Sequence, residues 1–126
     1  MSVVVDTSSW IDFFSGHDGE IVDELLELGN VVLSPIVVAE LTSGARSARE
    51  RRALADLLVL LPLHPTPLDH WIRVGELRRS LRGKGVSVST PDAHVAQCAL
   101  DLGAPLLSTD GIFQLIATHS QLRLLS

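Results

Sequence analysis

Val3-Val4-Val5-Asp6-Thr7-Ser8-Ser9-Trp10-Ile11 is the stretch on which the reading of the fold turns. Three valines in a row are apolar on both sides of a pleat. Such a strand is buried on both faces, as in a parallel sheet. The pattern then changes at once to that of a short helix, Ser8 to Phe14, closed near Gly16. Asp6 stands at the joint. In an open parallel sheet, ligands bind beyond the carboxyl ends of the strands. An acid at that joint is therefore either a helix cap or part of a site.

Outward from this stretch, short β-branched runs alternate with longer helical ones. Glu20 to Leu28 has helical spacing and Gly29 ends it. Val31-Val32-Leu33 reads as a second buried strand. Ser34-Pro35 opens a helix to about Ser43, with Ser34 as N-cap and Pro35 at the first helical position. Arg46 to Leu57 is a further helix, and Val59 to Leu63 reads as a third strand. Thr66-Pro67-Leu68-Asp69 starts a helix that reaches about Leu81. Thr90-Pro91-Asp92 begins another, stopped by Gly103. Leu106-Leu107-Ser108 is a fourth strand, Asp110 to Ala117 a short helix or turn, and Leu122 to Leu125 a fifth strand. The alternation implies one α/β domain over residues 1–126, an α/β/α sandwich with a mainly parallel four- to five-stranded sheet.

The chain has 126 residues, enough for one good core, and carries 10 basic against 15 acidic residues, net charge -5. An acidic balance does not advertise a nucleic-acid surface. The basic residues are concentrated, however, in Arg46 to Arg52 and in Arg73 to Lys84, where they form either a contact for a phosphate backbone or ordinary solvated helix faces. Cys98 is the only cysteine, which excludes an intrachain disulfide, and its apolar helical neighbours read it as a small buried hydrophobe. His17, His64, His70, His94 and His119 show no zinc-ligand spacing with one another or with Cys98 and read as surface or packing residues. No run approaches the roughly 18 apolar residues of a membrane helix, and no secretory signal opens the chain. The expectation is a cytoplasmic protein with no membrane contact.

The chemistry should lie at the carboxyl edge of the sheet. Asp6 follows the first strand and Asp110 the fourth, so both project from one edge. Asp92 lies in the first turn of a helix near that edge. Glu40 lies about one and a half turns into the helix that leaves the second strand, inside the apolar run Ile36 to Leu41. Each acid has a plain alternative as a cap or a dipole partner. Together, four carboxylates in one cleft repel one another, and either stay protonated or recruit cations. Oxygen ligands alone suit a hard ion, Mg²⁺ or Mn²⁺. Such ions serve phosphodiester hydrolysis by acidifying water and steadying the leaving oxygen. They also turn an acidic hollow into a seat for phosphate.

Four segments in order resemble the PIN-domain family, and within it the VapC-type toxins of bacterial toxin–antitoxin pairs. They are Val4 to Ile11 around Asp6, Leu33 to Leu41 around Glu40, Pro91 to Ala96 around Asp92, and Leu107 to Phe113 around Asp110. The resemblance covers Val3 to Leu125. It implies that Asp6, Glu40, Asp92 and Asp110 are catalytic metal ligands. It implies that Ser8 and Thr109 support them as hydroxyls orienting an acid or its water. Ile112 departs from the family, which often has a polar or acidic residue there, so a fifth carboxylate is lacking. The resemblance further implies an Mg²⁺- or Mn²⁺-dependent endoribonuclease acting on RNA, a homodimer, and silencing by a VapB-type antitoxin peptide. The antitoxin's groove would use apolar positions such as Trp10, Phe13 and Phe14, for which core packing is the alternative.

Other readings stay open at this level. A phosphatase-like α/β enzyme also places an Asp after its first strand, but wants a second acid at Ser8 and a lysine. A receiver-like module wants a lysine after a late strand, where this chain has Thr109-Asp110. A PIN fold that binds RNA or a partner without cutting is a third.

Overall fold

The computed structural model describes residues 1–17 and 19–125. At its centre lies β1 (Val3–Val5), all three residues buried. It is flanked by β2 (Val31–Val32) and β3 (Leu106–Leu107), both parallel to it, in the order β2-β1-β3. The register pairs Val3 with Val31, Val4 with Val32 and Leu106, and Val5 with Leu107. A strand buried on both faces needs cover on both. Among the described residues seven helices supply it: α1 (Thr7–Ser15), α2 (Glu20–Glu27), α3 (Pro35–Gly44), α4 (Ala48–Leu58), α5 (Leu68–Gly83), α6 (Thr90–Leu102) and α7 (Ile112–Thr118).

The sheet is narrower than the sequence reading. Val59 to Leu63 is not a strand. The Val59 N–H still donates to Ala55, as the cap of α4, and Leu60 and Leu61 turn after it. Pro62 then has no N–H to offer a ladder. What survives is a single parallel bridge, Leu33 to Leu63. Leu122 to Leu125 likewise contributes one bridge, Leu106 to Leu124. Five chain segments thus cross the sheet, of which three are strands.

Helix starts also differ by a residue or so. Ser89, not Thr90, caps α6, its hydroxyl accepting the Asp92 N–H at 3.2 Å. Pro67 stands at the cap of α5, which runs on to Gly83. Ser34 occupies the cap of α3, but its hydroxyl makes no capping bond. It meets His94 Nε2 at 2.7 Å instead. Gly16, at φ 75°, closes α1 in the left-handed region that glycine enters at no steric cost.

The helix α6 is the most deeply set, with every residue from Ala93 to Ala99 buried. Its polar side chains meet α5 in the interior. His70 Nδ1 lies 2.7 Å from Asp101 Oδ2, and His70 Nε2 lies 2.8 Å from His94 Nδ1. Cys98 Sγ lies 3.5 Å from His94 Nε2. His64 sits beside them, its Nε2 3.7 Å from Asp101. Three of the five histidines, His64, His70 and His94, are therefore packed together, because α5 lies along α6. Burial pushes the Cys98 thiol up to about 12 against a weaker opposing bond from Ser34, so in the metal-free chain the sulfur is protonated. Burial, then the neighbouring His70 and His64, lower His94 to about 4, which keeps it neutral at pH 7. Burial alone would raise the Asp101 carboxyl. Hydrogen bonds from Arg73, His70 and Gln97, with the Arg73 charge, outweigh that and hold it well below the usual range.

Candidate active site

The carboxyl ends of β1 and β3 build the first part of the site. Asp6 leaves β1, donates its own N–H to the Leu107 carbonyl, and caps α1. It is 6% exposed. Its Oδ2 accepts from the Ser8 hydroxyl at 3.0 Å, the Ser108 hydroxyl at 2.9 Å and, at the limit of 3.5 Å, the Ser8 N–H. Each hydroxyl has one proton. With both aimed at Asp6, the 3.1 Å approach of Ser8 Oγ to Ser108 Oγ is a contact and not a further bond. The hydroxyls accept in turn from backbone: Thr109 N–H to Ser8 Oγ and Asp110 N–H to Ser108 Oγ, both at 3.0 Å. All three bonds to the Asp6 carboxylate fall on Oδ2. Among the described residues Oδ1 makes none, and it is the oxygen left for a ligand.

The other acids come from three further elements. Glu40 on α3 is exposed, and Thr7 donates to its Oε1 at 2.9 Å. Its place in an apolar run is thus reconciled with a side chain that points outward and is held. Asp92, half-buried in the first turn of α6, has its carboxyl raised above the ordinary value. Burial is the largest cause, opposed by Ser89. The charges of Asp110, Asp6 and Glu40 each push it further up. Asp110, exposed between β3 and α7, accepts the Ile112 N–H at 3.2 Å. Ile112 itself packs against the core.

No protein cation answers these charges. Among the described residues the ion pairs converge on Asp101, and none reaches Asp6, Glu40, Asp92 or Asp110. Nor do any three of the four acids bring ligand oxygens within 4.8 Å of one another, a spacing met by His64, His70 and Cys98. Uncompensated carboxylates repel and stand apart. A hydrated hard ion keeps several waters and takes only one or two carboxylates directly. The donor set is all oxygen, and it fits Mg²⁺ or Mn²⁺.

The repulsion has a measurable consequence. An acid whose folded-state value is raised is penalised when ionised, fully above that value and not at all below its unfolded one. Asp92→Asn is therefore expected to raise the melting temperature of the metal-free protein at pH 7.5. The gain should vanish near pH 3, where Asp92 is protonated in both states. Calorimetric melts at the two pH values check it.

Two contributors went unread in the sequence. Ser108 is the hydroxyl from β3 that holds Asp6, whereas Thr109 is exposed and acts there through its backbone N–H. Thr7 holds Glu40. The signal for both is adjacency: each is a hydroxyl residue next to a strand end.

Beside the cleft, α1, α3 and α4 enclose a groove of about 540 Å³ whose lining includes Ile11, Phe14, Glu40, Leu41, Arg46 and Leu54. Phe14 is 48% exposed there, whereas Trp10 is fully buried in the core and Phe13 half-buried. An open hollow of about 730 Å³ between α7 and Leu124 carries no titratable side chain. Of the basic residues, Arg73 grips Asp101 through two bonds, Arg78 donates to the Val88 carbonyl, and Lys84, the only lysine, to that of His119. Arg49, Arg51, Arg52, Arg79 and Arg82 are exposed. No described helix is long and apolar enough to cross a membrane.

Known structures share this architecture. One is a VapBC2 complex from Rickettsia felis bound to a promoter DNA fragment. It matches at TM-score 0.81 and 21% identity, over 99% of this chain and 98% of that one. VapBC-1 from nontypeable Haemophilus influenzae matches at 0.80 and 22%, over 100% and 98%. VapC20 from Mycobacterium tuberculosis, described as a toxin that cleaves the sarcin-ricin loop, matches at 0.69 and 21%, over 97% and 99%. At these identities the likeness is one of fold. The PIN-domain family model matches residues 3–118, and on that extent the chain belongs to the PIN-domain family.

Proposed function

We propose that the chain, as one PIN domain over residues 1–126, is a Mg²⁺- or Mn²⁺-dependent endoribonuclease and the VapC-type toxin of a type II toxin–antitoxin pair. One observation carries the reading: burial and the charges of acids from three other elements push the Asp92 carboxyl up, and among the described residues no protein cation pairs with any of the four. Asp6, Glu40, Asp92 and Asp110 would hold a divalent ion, which when bound would supply positive charge for a phosphate and lower the pKa of water so that hydroxide is available as nucleophile. The protein's part is to hold the acids. Ser8 and Ser108 fix Asp6 on one oxygen and keep the other turned to the cleft. Thr7 fixes Glu40. Asp92, whose carboxyl is raised by burial and then by the charges of Asp110, Asp6 and Glu40, is the acid suited to take a proton from attacking water. The exposed arginines of α4 and α5 are the candidates for flanking RNA phosphates.

The groove lined by Phe14 and Ile11 fits an apolar peptide lying across Glu40, and the complexes that share the fold are toxin–antitoxin assemblies. A VapB-type antitoxin segment there would silence the site by covering an acid. Phe14→Asp is expected to weaken that segment by at least about tenfold, the scale of a lost exposed anchor. Fluorescence titration with the antitoxin's C-terminal peptide checks it. A homodimer is supported by the large exposed apolar residues Val59, Leu60, Leu63, Leu68 and Ile72 around the α4–α5 connection. The cytoplasm is the compartment such a partner and substrate imply.

The test is cleavage of bulk transfer and ribosomal RNA by the purified toxin with Mn²⁺, with Mg²⁺ and with chelator. Defined fragments that need either ion, and their absence with chelator, support the reading. Intact RNA under all three conditions, or cleavage that chelator leaves untouched, overturns it.

A further inference from the structure

We propose that His64, His70, His94 and Cys98 form a buried site for one borderline divalent ion, Zn²⁺ by its ligand chemistry, sharing no residue with the carboxylate cleft. Ligand atoms of His64, His70 and Cys98 all lie within 4.8 Å of one another. His94 Nδ1 lies 2.8 Å from His70 Nε2 and 4.0 Å from Cys98 Sγ but outside the mutual spacing of those three, and it would complete the set by turning from its hydrogen bond to His70. Three imidazoles and a thiolate are a tetrahedral zinc set, and a poor one for Mg²⁺.

The second observation is His64. It is only 9% exposed, and both its ring nitrogens are buried without a hydrogen-bond partner. An imidazole stranded at that depth is costly unless something ligates it. Its neighbours are built to receive the same ion. Asp101 holds His70 Nδ1 at 2.7 Å, which leaves Nε2 facing inward, the carboxylate–histidine arrangement that orients metal-bound imidazoles. Arg73 and Gln97 fix Asp101 in turn.

The proton balance closes. In the metal-free chain Asp101 accepts from His70 Nδ1–H, so His70 Nε2 accepts from His94 Nδ1–H, and His94 Nε2 accepts from Ser34. On binding, the His94 proton shifts to Nε2, where Ser34 Oγ at 2.7 Å accepts it, and Nδ1 is freed. The Cys98 proton leaves to solvent. The Cys98 thiolate then meets one of the ion's two charges, while Asp101, already paired with Arg73, serves to orient His70. Such an ion ties α5 and the segment before it to α6, the helix that starts at the Asp92 turn.

The experiment is refolding of the full chain with Co²⁺, followed by absorption spectroscopy and native mass spectrometry. Expected is one thiolate-bound cobalt per chain, seen as a strong near-ultraviolet thiolate-to-cobalt band, beside any cobalt in the carboxylate cleft that Asp6→Asn removes. Asp6→Asn keeps that band. Cys98→Ala loses it, and His64→Phe weakens binding by at least about tenfold. If Cys98→Ala does not fold, the His64→Phe titration decides. The absence of a thiolate band in the wild type overturns the site, as does a band that survives Cys98→Ala. Unchanged affinity in His64→Phe, or a thiolate band that Asp6→Asn abolishes, overturns it equally.

Discussion

Asp6→Asn is expected to lower RNA cleavage by more than about 100-fold, since a direct ligand should matter more than the outer partners, whose loss costs about 10–100-fold. The substitution removes a charge and one oxygen from the acid most rigidly held in the cleft. The amide also inherits an unfavourable choice. Its oxygen can satisfy the Ser8 and Ser108 hydroxyls, which leaves a donor NH₂ facing the cation, or the reverse, which sets NH₂ against two donors. The fold should survive, because Asn caps helices as well as Asp does. Single-turnover cleavage, with circular dichroism as the control for folding, checks it. Ser108→Ala removes only the hydroxyl that positions Asp6 and should fall within the 10–100-fold range quoted for outer partners.

Trp10→Ala is expected to cost about 3–5 kcal/mol of stability, the range for truncating a buried Trp. Trp10 is fully buried, stacked on Phe14 at 5.8 Å and 19°, and edge-on to Phe13 at 6.0 Å. Total stability for such domains is about 5–15 kcal/mol, so the loss is a large share of the whole. Its indole N–H is buried without a partner. Trp10→Phe removes that unsatisfied donor along with some volume and should cost much less. Urea denaturation of the two variants checks the ordering. A Trp10→Ala loss below about 1 kcal/mol would mean that this side chain is not the keystone of α1.

The strand–acid–helix joint at Val3 to Ser15 was legible because local rules and global fold agree there: β-branched residues, then a capping acid, then helical spacing. The segments around Glu40, Asp92 and Asp110 were legible for the same reason. Val59 to Leu63 was not. A short apolar run reads alike as a strand or as the trailing turn of a helix, and Pro62 was the only residue arguing against the strand. Ser108 was hidden by its neighbour Thr109, since only the register of β3 decides which hydroxyl reaches Asp6. Ser34 looked like a cap and is one by position, but its hydroxyl bonds to a histidine 60 residues away. The interior cluster had one local sign, His94 and Cys98 one helical turn apart. His64 and His70 join it only through the packing of α5 on α6, which no spacing along the chain reveals.

The proposed convergence of four acids on one cation is tested most directly by the melting temperature of wild type, Asp6→Asn and Asp92→Asn during Mn²⁺ titration. Wild type is expected to gain about 2.7 kcal/mol when the free ion reaches about 100 times its dissociation constant. Chelator should reverse the gain, and both variants should lose most of it. An equal gain in all three proteins, or none in the wild type, would contradict it.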